Sequence, residues 1–525
     1  MTALNSFDEL IFFAQPAPFI SRLGGYFQVE VKNIFSHWLK IGCFLPFFKK
    51  VDGADYANSF GHRCSRSFFV DTPDEDSIRQ YHNLSILFKT VDHFFKGLGN
   101  LFGHVSDPRN PKLITYPLDS LLFTGILMYL CRFGTRRGIA DLLRDSVRSR
   151  WKYHELFDVE NAPHGDTLNY CFKRLAVTDI QESVCKMVEM LLRQKVLYPY
   201  RLLGRYFMVA IDATGVVTFH ERHCDHCLTR KLNNGLTLYY HPVLEAKLVT
   251  ATGFSFSIMT EFIENTDLSA DKQDCELKAF YRLAPRLKAR FPRLPICLLL
   301  DGLYAGGPTF AICEAYNWQY MITLKDDHFC LLNNEFEALC KLNPDNRSHL
   351  RMHQGKESIQ QTFRWANDLY HQDSNNHEHY LNILECRQKV TDHKGIATFT
   401  KFKWITNFKL DSNRAISLTN NGGRKRWKIE NEGFNTQKNG GFELEHPYSE
   451  NENARKIFYL LLQIAHTIFQ LIEKGSLFKK AFPNGLGSEY NAAKALLEAW
   501  RNLRLIPQAF ATLAEGKFQI RFDTS

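Results

Sequence analysis

Three acidic residues carry the clearest sign of chemistry in this chain. Asp212 closes the apolar run Tyr206-Phe207-Met208-Val209-Ala210-Ile211, and Asp301 closes Pro295-Ile296-Cys297-Leu298-Leu299-Leu300. Both runs have the length and unbroken apolar character of strands buried on two faces. Glu430 lies in the basic stretch Arg424 to Lys438, where Trp427, Glu430, Asn431 and Phe434 recur at helical spacing and Arg426 stands one turn earlier. Aspartates at the carboxyl ends of strands in an α/β sheet face the crevice where ligands bind. Three converging carboxylates cannot all stay ionised without a compensating cation. Hard oxygen donors of this kind suit Mg²⁺ or Mn²⁺, which activate a water or hydroxyl and stabilise a leaving oxygen at phosphorus. Singly, each Asp reads first as a turn or cap residue, and 424–438 reads first as a solvated basic helix. The argument rests on the set.

A second group is His220-Glu221-Arg222-His223-Cys224-Asp225-His226-Cys227, with His241 downstream. Cys-x-x-Cys beside histidines is half of a structural Zn²⁺ site, with Cys224 and Cys227 as the thiolates and His220 or His223 and His241 to complete it. The alternative is a polar loop that approaches DNA. A zinc-dependent hydrolase is the weakest alternative, because no His-x-x-x-His pair with a neighbouring Glu occurs.

The elements that must position these residues follow from the pattern. Residues 1–81 show no sustained periodicity; Lys49, Lys50, Arg63 and Arg66 dot them. Residues 82–200 read as helical, with Thr178 and Gln181 as a capping box ahead of the stripe Val184, Met187, Val188, Leu191. Arg144, Arg148, Arg150 and Lys152 make this region a candidate DNA-binding surface or a plain solvated bundle. Residues 201–330 read β-β-β-α-β-α-β, with a helix over 274–290 whose face is Leu277, Phe280, Tyr281, Ala284 and Leu287. This predicts an α/β mixed sheet covered by helices, within an α+β chain overall. A β-strand-rich insertion is expected over 331–423, a return to helix over 424–475, and a helical, moderately basic tail over 476–525.

The 525 residues carry a formal charge of +9, which permits a polyanionic partner without demanding one. Composition is that of a globular chain. Thirteen cysteines with one tight pair fit a reducing compartment rather than a disulfide framework. The apolar runs 121–131 and 457–472 are too short or interrupted for membrane spans, and no signal peptide is expected. The chain is therefore expected to be cytoplasmic.

Ile211-Asp212-Ala213-Thr214-Gly215, Lys272-Gln273-Asp274-Cys275-Glu276 and Leu300-Asp301-Gly302-Leu303-Tyr304-Ala305 resemble the first two acidic blocks of bacterial insertion-sequence DDE transposases. Arg426-Trp427-Lys428-Ile429-Glu430-Asn431-Glu432 resembles their third. The resemblance spans about residues 82–475. It implies an RNase H-like catalytic domain interrupted by a β-rich insertion, with Asp212, Asp301 and Glu430 as the Mg²⁺ (or Mn²⁺) ligands and Arg426 and Lys438 gripping phosphate. It also implies a homodimer acting on terminal inverted repeats and target DNA, nucleoid-associated when bound. A nuclease of the same fold and a catalytically silent, transposase-derived DNA-binding protein are the alternatives. Two positions depart from the family: Gly423 stands where a Tyr is common, and Gln437 stands where the Lys usually falls, with Lys438 one later. Glu432 is a second choice for the third acid.

Overall fold

A computed structural model describes residues 74–266, 272–327 and 329–523, all within one compact unit, Lys49–Ser525. The reading of residues 1–73, with Lys49, Lys50, Arg63 and Arg66, lies outside the described residues.

Helix α1 (Glu75–Phe95) starts earlier than its periodicity showed. Asp74 caps it by accepting the Ser77 N–H (2.7 Å), and Glu75 and Asp76 sit in the first turn, where acids favour the helix N-terminus. Helices α2 (Leu98–Phe102), α3 (Leu118–Leu130), α4 (Val147–Phe157), α5 (Gly165–Phe172) and α6 (Val177–Arg193) follow. The expected stripe of α6 is buried. Its capping box is not formed: Ala176 is the cap, and the buried Gln181 instead accepts the Thr260 N–H (3.1 Å) of an edge strand that would otherwise lack a partner.

The sheet begins with β1 (Phe207–Phe219), β2 (Leu228–Lys231), β3 (Thr237–Val249) and β4 (Ser255–Phe262). Then come α7 (Glu276–Arg290), β5 (Ile296–Leu300), α8 (Gly307–Tyr316) and β6 (Gln319–Thr323). After α9 (Cys330–Leu342), strands β7 (Arg347–Gln354), β8 (Glu357–Gln372), β9 (Glu378–Thr391) and β10 (Ala397–Thr406) form an antiparallel meander. All ten belong to one sheet, ordered β2-β3-β1-β5-β6-β10-β9-β8-β7, with β4 also on β3. β1, β5 and β6 are mutually parallel and the remaining pairs antiparallel, so the protein is a mixed α/β fold with an open sheet. The β-rich stretch continues the same sheet, because β10 pairs β6 through Trp404–Thr406 opposite Thr323–Met321.

Two local expectations change. The buried face of α7 is Ala279, Phe280, Leu283, Ala284 and Leu287; Tyr281 is 37% exposed and Leu277 only partly covered, so the face is turned from the one expected. The chain re-enters helix at α10 (Ser412–Ser417), before residue 424.

From α10 helical turns, interrupted at Gly422, lead to α11 (Thr436–Asn439), and the long helix α12 (Glu452–Glu473) packs against α3. These last two carry the apolar runs and are buried over most of their length. Among the described residues no helix is long and apolar enough to cross a membrane. The segment with α13 (Ser476–Ala481), α14 (Glu489–Asn502) and α15 (Pro507–Ala511) folds back on the first helices. Ser85 Oγ donates to the Leu513 carbonyl (3.1 Å), Phe94 stacks on Phe522 (5.8 Å), and the Trp500 indole N–H donates to Ser149 Oγ (3.0 Å). Lys152, grouped from sequence with the exposed basic residues, is buried. Its Nζ donates to the Trp500 and Leu503 carbonyls (2.8 and 2.9 Å) at the end of α14.

Candidate active site

Strand register places the two aspartates side by side. Ala210 of β1 lies opposite Leu299 of the parallel β5, so two residues further on Asp212 and Asp301 stand level. Side chains alternate along a strand, so Met208, Ala210 and Asp212 share a face, as do Cys297, Leu299 and Asp301. Met208, Ala210, Cys297 and Leu299 pack in one core cluster with Ile429 and Phe434. The segment that carries Glu430 therefore lies on the face toward which both aspartates point. β1 does not end at Asp212, as the sequence implied: it loses β5 as a neighbour but keeps β3 through Phe219 opposite Tyr239.

The Glu430 segment is helical but irregular. It is a 3-10 turn over Gly423–Trp427 and π-helical over Ile429–Asn435, a form often found at functional sites. The change of pitch breaks the even spacing read from the sequence. Of the two aromatics read on one face, Phe434 is buried as expected but Trp427 is 55% exposed, and Ile429 is the second anchor in its place. Ahead of the segment, Gly422 breaks the helical path (φ −115°, ψ −97°). A Cβ on Gly423 would sit 2.5 Å from the Trp404 indole nitrogen, so the larger residue expected from the resemblance has no room here.

The site holds more acid than base. Arg426 Nη1 is 3.1 Å from Asp212 Oδ2. Burial pushes the Asp212 carboxyl above its ordinary range; Arg426 opposes this, and the nearby Asp301 and Glu430 add to it. Asp301 Oδ1 accepts the Leu303 N–H (2.8 Å) and thereby also caps a short 3-10 turn. Two further groups belong to the cluster and were quoted from sequence without a role. Tyr304 donates to Glu276 Oε1 (2.6 Å). Burial pushes Glu276 upward, and Asp212 and Asp301 push the same way. Their sequence signal was slight: an acid opening a helix and a tyrosine three residues after Asp301.

The oxygens of Asp212, Asp301 and Glu430 do not all lie within 4.8 Å of one another; among the described residues only Cys224, Cys227 and His241 meet that condition. The carboxylate set nonetheless fits a hard divalent cation: every donor is oxygen, and the burial and neighbouring acids that resist ionisation of Asp212 are what such an ion would offset. Beside the acids opens a cleft of about 450 Å³, lined by Thr214, Arg230, Tyr240, Gln273 and Glu276 among others.

The remaining candidates separate. Glu432 is ion-paired with Lys428, whereas Glu430 is among the charges that push the Asp212 carboxyl upward, which favours Glu430 as the third acid. Lys438 pairs with Glu445 (3.1 Å). Gln437 is fully buried and donates to Gln463 Oε1 (2.8 Å) and His466 Nδ1 (3.0 Å) of α12, so this position serves the core. Comparison with protein-family models gives no match, and no curated protein matches the chain.

Proposed function

We propose that this protein is a DNA transposase that cleaves the ends of a mobile element and joins the freed 3′-hydroxyls to target DNA. One observation carries the reading: Asp212 and Asp301 stand level on adjacent parallel strands, and Glu430 is delivered to the same face by a segment that also brings Arg426. The sheet β4-β3-β1-β5-β6, followed by the β7–β10 meander before the glutamate, supports an RNase H-like core with a β-rich insertion.

In this reading Asp212, Asp301 and Glu430 hold Mg²⁺ or Mn²⁺, whose charge would polarise the phosphate and favour deprotonation of the attacking hydroxyl or water. Arg426, released from Asp212 when that charge is supplied, is placed to grip phosphate. Tyr304 orients Glu276 at the edge of the cleft, where Arg230 and Gln273 face the strand being processed. Lys438 contributes only if Glu445 releases it. The partner is double-stranded DNA, and holding two ends requires a homodimer on DNA, in the cytoplasm and nucleoid.

The test is cleavage of DNA carrying the element's own ends, with Mg²⁺. Asp301→Asn is expected to reduce cleavage by about 10²–10⁴-fold, the scale of losing several kcal/mol of charge stabilisation, while end binding stays intact. Undiminished cleavage by this variant sinks the triad. Cleavage by the wild type without joining of precleaved ends would leave a nuclease, and binding without any metal-dependent cleavage a silent DNA-binding protein.

A further inference from the structure

We propose that Cys224, Cys227, His241 and His223 form a structural Zn²⁺ site that ties the β1–β2 connection to β3. The proposal stands apart from the transposase reading. Cys224 Sγ and Cys227 Sγ are 3.5 Å apart, and each lies 3.3 Å from His241 Nε2. With Zn–S of about 2.3 Å and Zn–N of about 2.0–2.1 Å, a tetrahedral site has S···S edges of about 3.8 Å and S···N edges of about 3.5 Å. The triangle is thus short of a zinc site by only about 0.2–0.3 Å per edge, within reach of small side-chain rotations.

Hydrogen bonding accounts poorly for this convergence. One imidazole lone pair accepts well from one thiol, and the other thiol is left with at best a sulfur as acceptor. A soft cation takes all three lone pairs at once. Cys-x-x-Cys is the spacing by which a tight turn presents two thiolates to one ion, and two thiolates neutralise Zn²⁺, so the loaded site can be buried as Cys227 and His241 are.

His223 is the proposed fourth donor and would have to turn inward to bind, since neither of its ring nitrogens lies within 4.8 Å of all three other donor atoms. Its ring stacks on Phe219 at 4.3 Å, and His241 meets the same phenyl edge-on at 6.4 Å, so the two imidazoles flank one side chain. His223 Nε2 lies 2.8 Å from the Glu450 carbonyl. A metal-bound histidine commonly donates its second ring N–H to a backbone carbonyl in this way, which leaves Nδ1 for the metal. The buried Arg455 guanidinium, 6.0 Å from the Phe219 ring, has two terminal nitrogens without a partner, and thiolates add negative charge on its side of the molecule. The ion would bind residues 223–227 to β3 at the far end of the strand that carries Asp212.

The full chain, purified in reductant from zinc-supplemented cells without chelator, should hold about one zinc per molecule; a content near zero overturns the proposal. Replacement by Co²⁺ should give thiolate-to-cobalt charge transfer and the intense visible bands of a tetrahedral site; an octahedral spectrum overturns it as well. Cys224→Ser with Cys227→Ser should abolish both signals. His223→Ala should keep the charge-transfer band and alter the visible bands, and an unchanged spectrum removes His223 from the site. A Cys224–Cys227 disulfide in metal-free protein purified without reductant would show a redox pair instead. All readouts on the wild-type protein are independent of DNA cleavage, so failure here leaves the transposase reading standing.

Discussion

At Asp212 burial and two neighbouring acids outweigh one arginine. A carboxyl whose folded pKa is raised favours folding when protonated, and the fold loses stability as pH rises through that value. At neutral pH the wild type bears this cost. Asp212→Asn should therefore melt at the same or a higher temperature than wild type at pH 7, with the difference closing in the acid range below the ordinary carboxyl pKa. Differential scanning fluorimetry across pH checks this, and a lower melting temperature at pH 7 contradicts the electrostatic account. Adding Mg²⁺ should raise the wild-type melting temperature and leave Asp212→Asn nearly unmoved, because only an ion held by the folded state stabilises it. Gln437 makes a second point. A lysine there would be closer to the resemblance, yet the position is fully buried among Gln463 and His466. Gln437→Lys should cost about 2–5 kcal/mol in urea denaturation, because it buries an unpaired charge, and should not strengthen DNA binding.

The Glu430 segment depends on the two glycines before it. Gly423 is pressed against Trp404, so a Cβ must displace an indole packed in the core. Gly423→Ala should destabilise by about 1–3 kcal/mol, the scale of core overpacking, and should impair cleavage beyond its effect on folding because Glu430 lies seven residues downstream on the same path. An alanine variant as stable and as active as wild type refutes the close fit. This element also shows what the sequence could and could not reveal. β1 and β5 were legible because strands buried on both faces leave unbroken apolar runs, and Glu430 stood out from sequence as a candidate through Arg426 one turn before it. The π-helical pitch was not legible, because it has no sequence periodicity of its own; the segment packs against β3 and β4, where Gly433 approaches Lys247 and Ser255. Glu276 carries little sequence signal of its own, because an acid opening a helix is explained already by the helix dipole. Lys152 was misplaced because a lysine among arginines looks solvated, and only the return of α14 buries it.

For the molecule as a whole, the sheet and the helical layer are closed by pairings distant in sequence. The pairing of β10 with β6 was invisible to local pattern, since a strand's own residues do not name its neighbour. The helical layer is closed by Trp500, fully buried against Phe123, Tyr153 and Ser149. Trp500→Ala should lower unfolding free energy by about 3–5 kcal/mol, the range for a large buried aromatic, measured by urea denaturation. A loss under about 1 kcal/mol would mean that this segment is not integral to the fold.

The contacts of α1 with residues 513–522 set a clock on biosynthesis. Ser85 waits for Leu513, 428 positions later, and Phe94 waits for Phe522. At about 5–20 residues per second, translation leaves part of the first helix's apolar face uncovered for on the order of twenty to ninety seconds. During that interval the nascent chain is a natural client for a holdase. A ribosome stalled before Leu513 should carry a helical layer that proteases can open, even though every strand of the sheet has already been made.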